Sequence, residues 1–120
     1  MNSKRLLVTL FAFVLASLAA MTLWASAQQP VWHWQGLTSG PDRWWTRATL
    51  MDAYYGFVTF FVWVCFKERS AAAKALWFLA IMMLGNMAMA SYVLLQLMRL
   101  KPGEPASAIL ASRRATPAAR

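Results

Sequence analysis

The stretch LLVTLFAFVLASLAAMTLWASAQQP, residues 6–30, decides how many helices the chain has to arrange. From Leu6 to Trp24 it carries no charge, and its polar interruptions, Thr9, Ser17 and Thr22, can bond back to the preceding helical turn. Crossing a hydrocarbon core takes about 20 apolar residues, so this run can span unaided. Ala25-Ser26-Ala27, just behind it, has the small-x-small form of a signal-peptidase site. Signal peptides keep an apolar core of about 7 to 15 residues, however, and this run exceeds that with no helix breaker before the site. It reads as a retained helix in preference to a cleaved signal. With either outcome the segment that follows emerges on the same side.

Composition fits a membrane setting. Of the 120 residues, 60% are hydrophobic and 13% charged, with 4 acidic side chains for the entire surface. A soluble domain of this size needs more polar cover, so the fold class expected is an all-α membrane protein. The net charge of +8 does not point to nucleic acid, because the basic residues border the apolar runs instead of forming one face. Cys65 is the only cysteine, which excludes an internal disulfide and multi-cysteine metal sites.

Two further runs follow. LMDAYYGFVTFFVWVCF, residues 50–66, carries Asp52 near its start, and Pro41 and Asp42 place the helix beginning near residue 41, giving a helix to about Lys67. ALWFLAIMMLGNMAMASYVLLQLM, residues 75–98, is long enough to span and pairs with it as a hairpin. Three transmembrane helices are therefore expected. The division is an N-terminal helix or signal peptide over residues 1–27, a Trp-rich interfacial segment over 28–48, a helical hairpin over 49–100 and a flexible basic tail over 101–120, which Pro102 and Gly103 introduce. Ile109 and Leu110 could form a short amphipathic patch in that tail. Trp24, Trp32, Trp34, Trp44 and Trp45 on one side, and Trp63 and Trp77 on the other, read as two interfacial belts.

Lys4 and Arg5 ahead of the first run favour a cytoplasmic N-terminus, in what is expected to be a bacterial inner membrane. With three crossings the tail then falls outside, against the pull of Arg99 and Lys101.

Polar groups within the second run share a helix face: Asp52, Tyr55, Gly56 and Thr59. Asp52 stands near the helix entrance, where headgroup water would satisfy it; alternatively, Asp52, Tyr55 and Thr59 meet Asn86 across the hairpin and tie the helices together. Gly85, Ala88 and Ser91 recur beside Asn86 as a small-residue interface. Lone His33 reads as an interfacial side chain, the methionines of the third run as packing surface, and Lys67 and Glu68 as a solvated turn. No catalytic, cofactor-binding or metal-ligating constellation is evident, and none of the three is expected.

WTRATLMDAYYGFVTFFVWVCFKERS followed by LWFLAIMMLGNMAMASYVLLQL resembles a family of small uncharacterised membrane proteins of bacteria and plants, a domain of unknown function. Thr49, Leu50, Asp52 and Tyr54, then Trp63, Lys67 and Glu68, then the Gly85-containing helix to Gln96 and Leu97 carry the likeness, over residues 44–98. The resemblance implies one hairpin unit and no known activity. The function expected is an interaction, accessory or assembly subunit, not an enzyme, with the lipid bilayer and other membrane helices as partners. The alternative is a homo-oligomeric transporter or channel component using Asp52 and Tyr55.

Overall fold

The computed structural model describes residues 3–111. Among them every regular element is helical: α1 Ser3–Gln28, α2 Arg43–Lys67, α3 Ala71–Leu84 and α4 Asn86–Met98, with short 3₁₀ turns at Val31–His33 and Ala106–Leu110. Only α1 and α2 are long and apolar enough to cross a membrane. The expected count of three spanning helices is thus corrected, because the third apolar run breaks at Gly85.

α1 contains neither glycine nor proline and ends where Pro30 disfavours helical geometry in the residue before it. The segment after it is drawn against α2 by Arg47, whose Nε donates to the Leu37 carbonyl at 2.8 Å. The Arg43 and Arg47 guanidinium groups lie 4.8 and 4.7 Å from the Trp44 ring centroid, cation–π contacts that order the start of α2. α2 begins at Arg43, slightly later than the Pro41 signal predicts, since Pro41 and Asp42 form the preceding turn.

At its other end α2 stops when Glu68 turns extended. Ser70 then caps α3, its Oγ accepting from the Ala73 N–H at 3.1 Å. α3 runs back along α2: the Tyr54 hydroxyl donates to the Met82 carbonyl at 3.1 Å, and the Phe61 and Phe78 rings meet edge to face at 5.1 Å. The expected partner of this run, residues 75–98, follows α2 in this way only as far as Leu84.

Gly85 ends it. Its φ of 56° and ψ of −125° lie where L side chains are strained, and a Cβ there would come 2.8 Å from the Phe57 ring. The chain reverses, and α4 descends beside α3. Ile81 and Ala88, then Trp77 and Tyr92, meet across the reversal, the last pair with ring centroids 4.8 Å apart. α4 is the most enclosed helix, with Ala88, Ala90, Tyr92, Val93, Gln96 and Leu97 all buried.

α1 closes the other side of α4. Leu7, Val8 and Phe11 pack on the cluster containing Val93 and Leu97, so the start of α1 lies against the end of α4. α1 is half-buried at Lys4, Leu7, Val8, Phe11, Val14, Leu15, Leu18 and Ala19, a stripe at helical spacing. From Ala20 to Gln28 every residue is exposed. Packing is therefore concentrated at one end, called basal below, where α1 begins, α2 gives way to α3 and α4 ends. The far halves of α1 and α2 stand bare.

The expected tail folds partly back. Ala106 is buried on Val93 and Leu97, and Ile109 packs beside it, while Leu110 is exposed. Arg113, Arg114 and Arg120 lie outside the described residues.

Candidate functional site

At the basal end the helices converge on a polar knot inside an aromatic shell. The Tyr92 hydroxyl, fully buried, donates to the Glu68 Oε2 at 2.7 Å. Trp77, Trp63 and Phe60 stand edge-on around the Tyr92 ring at 4.8, 5.5 and 6.1 Å. Such perpendicular contacts place ring edges against ring faces, which suits the aromatic quadrupole. They fix the phenol so that its one donor points at the carboxylate.

Glu68 and Lys67 are 7% and 5% exposed, so the expectation of a solvated turn is corrected. The cause is the return of α4, which brings Tyr92 over the end of α2. Lys67 Nζ donates to the Ala111 carbonyl at 2.7 Å, strapping the segment after α4 across the base. A hydrogen bond to an ionised group is worth about 1.5–3 kcal/mol, and the carboxylate here needs it because burial has taken its water.

Two donors in this region have no partner among the described residues: Trp63 Nε1 and Gln96 Nε2. Buried polar groups are nearly always paired, so these mark places that an additional acceptor would fill. The knot combines one carboxylate, one phenol, one ammonium and two idle N–H groups. That set can hold helices together, or grip a small polar group through its acceptors. Among the described residues no three His, Cys, Asp or Glu side chains come together in a way that could hold a metal ion.

The residues singled out from sequence are placed differently. Asp52, Tyr55 and Thr59 are exposed on α2, and Thr59 Oγ1 bonds only back to the Tyr55 carbonyl, at 2.9 Å. Asn86 is exposed at the reversal. The structure does not bring these four together. α2 instead turns Ala53, Phe57, Phe60, Phe61 and Val64 inward, and Tyr54, one position from Tyr55, makes the cross-hairpin bond. Of the expected small-residue interface, Gly85 and Ala88 are buried, Gly85 against Phe57, while Ser91 is half-buried with its Oγ bonded to the Met87 carbonyl at 2.8 Å. His33 is exposed, edge-on to Trp32, and Cys65 is a half-buried free thiol.

Tyr92 was not foreseeable from composition, yet a spacing signal exists. Ala88, Tyr92 and Gln96 recur every fourth residue, one helix face, and that face is the buried one. Trp63, Lys67, Glu68 and Gln96, which carry the family likeness at separate points of the sequence, share this one end of the fold.

The chain belongs to the family described as "Protein of unknown function (DUF1475)", whose model matches residues 4–115. The match extends beyond the residues 44–98 on which the resemblance rests, and takes in α1 and the basal strap. No curated protein and no solved structure matches the chain.

Proposed function

We propose that this is a small integral membrane protein that works as an interaction or assembly subunit, docking other membrane helices on the outward face of α2. One observation carries the proposal: Asp52 is exposed on a helix whose packed face lies elsewhere. At about 1.5 Å per residue, Arg47 and Lys67 stand about 30 Å apart, the thickness of a hydrocarbon core. Asp52 then lies about 7 Å inside that core, facing away from its own bundle. A carboxylate there costs a few kcal/mol unless another chain covers it. Gly56 and Thr59 continue the same face, and nothing stands within 4 Å of where a Gly56 Cβ would be, so a second backbone can approach closely.

A photo-crosslinking residue in place of Tyr55, activated in native membranes, tests this against the same probe at Leu76, which is exposed on α3. The proposal expects a discrete adduct, with a second copy or another membrane protein, from position 55 and not from 76. Equal and diffuse lipid labelling at both positions, together with monomeric behaviour in mild detergent, defeats it.

The interrupted apolar run favours a second reading, a homo-oligomeric transporter or channel component. Broken helices expose polar backbone ends at depth, as membrane transport sites do, and the amino end of α4 has no side-chain cap. Proton flux into proteoliposomes, followed with an internal pH-sensitive dye, should then be present and fall in both Asp52→Asn and Asn86→Ala. Flux equal to that of protein-free vesicles rules it out for protons.

A further inference from the structure

We infer that the α3–α4 hairpin is a re-entrant element, so that the described residues cross the membrane twice and the start of α1 and the segment after α4 both lie on the cytoplasmic side. Three independent observations meet here. The first is length: α3 has 14 residues and α4 has 13, about 21 and 20 Å of helix, where a crossing takes about 30 Å. Neither helix reaches the far side.

The second is the path. Gly85 reverses the chain against Phe57, which is ten positions, or about 15 Å, from the basal end of α2. From there α4 returns to the level at which it left: Tyr92 bonds Glu68, Leu97 packs with α1 near its start, and Lys67 holds Ala111. Non-helical backbone at membrane depth is tolerated only where protein encloses it. Gly85 is buried, its N–H donates to the Ile81 carbonyl at 2.7 Å, its own carbonyl accepts from the Met89 N–H at 3.1 Å, and the Tyr54 hydroxyl serves the Met82 carbonyl.

The third is charge. With α4 returning, Lys4, Arg5, Lys67, Arg69, Lys74, Arg99 and Lys101 all gather at the basal end, against Arg43 and Arg47 at the other. A three-crossing arrangement would strand Arg99 and Lys101 on the translocated side. Two crossings remove that conflict, and the positive-inside bias then assigns the basal end to the cytoplasm, where its cations meet anionic headgroups.

The test uses single cysteines in a Cys65→Ser background and a membrane-impermeant maleimide, applied to intact cells and to inverted vesicles. Thr38→Cys is expected to react in intact cells, and Ala72→Cys and Ser107→Cys only in inverted vesicles. Reaction of Ser107→Cys together with Thr38→Cys in intact cells would establish a third crossing and overturn the inference. Protection of Thr38→Cys with labelling of both others would overturn the cytoplasmic assignment. A fluorescent protein that matures only in the cytoplasm, fused to the otherwise unaltered C-terminus, supplies a readout free of any change in the fold; it should be bright, and a dark but abundant fusion counts against the inference.

Discussion

Exchanging Gly85 for alanine separates a reversal from a straight helix by the sign of its effect. In an uninterrupted helix, Gly85→Ala would stabilise by about 1 kcal/mol through propensity alone. In the structure, the backbone at φ 56° and ψ −125° penalises a side chain by about 1–3 kcal/mol. The new methyl would also stand 2.8 Å from the Phe57 ring, and relieving such overpacking costs about 1–3 kcal/mol more. The expected loss is therefore about 2–6 kcal/mol, a large part of the 5–15 kcal/mol typical of folded domains. Equilibrium unfolding in mixed micelles, followed by tryptophan fluorescence, measures it. A second cycle in a Phe57→Leu background should retain the backbone part and lose the steric part. An unchanged or raised stability in Gly85→Ala would refute the reversal outright, whereas an equal loss in both backgrounds would refute only the Phe57 contact.

Tyr92→Phe should cost about 1–3 kcal/mol by leaving the Glu68 carboxylate short of a donor, and more than Glu68→Gln, which still offers the phenol an acceptor; the same unfolding assay should show that order. Gln96→Leu should be neutral or stabilising by about 1 kcal/mol, because the amide nitrogen it removes has no partner, and a marked loss would show that an acceptor does occupy that place. Lys67→Met should release the strap at Ala111 and speed chymotryptic cleavage after exposed Leu110, an expectation that an unaltered cleavage rate would contradict. If α1 is retained, the intact mass of the purified protein includes it, and a mass beginning at Gln28 would show instead that residues 1–27 are removed.

How much of this was legible beforehand follows from what periodicity can carry. Apolar length located α1, α2 and the α2–α3 hairpin, because a helix of that composition has few other conformations open to it. The break at Gly85 was hidden, since a glycine inside an apolar run is as compatible with a packed straight helix as with a reversal; only the ring of Phe57, far away in sequence, distinguishes them. The face of α2 was assigned from its polar residues, on the expectation that they would turn inward. The apolar stripe of Ala53, Phe57, Phe60 and Val64 turned inward instead, beginning one position and about 100° away. Lys67 and Glu68 read as solvated because their burial depends on the return of α4 and Tyr92, which reaches Glu68 only through a reversal the sequence does not announce. Gly85 and Ala88 are small and both are buried, since a small side chain lets a neighbour approach whatever its direction.

The seam between α1 and α4 has a consequence for synthesis. It joins Leu7 and Val8 to Val93 and Leu97, so α1 is synthesised well before the helix it packs on. Contacts so distant in sequence form late, and a chain halted before α4 would leave the packing stripe of α1 uncovered. Such a fragment would still contain both long apolar helices, yet would lack the helix on which all the others pack. The seam is therefore the last part of the fold to close, and its closure marks a finished chain.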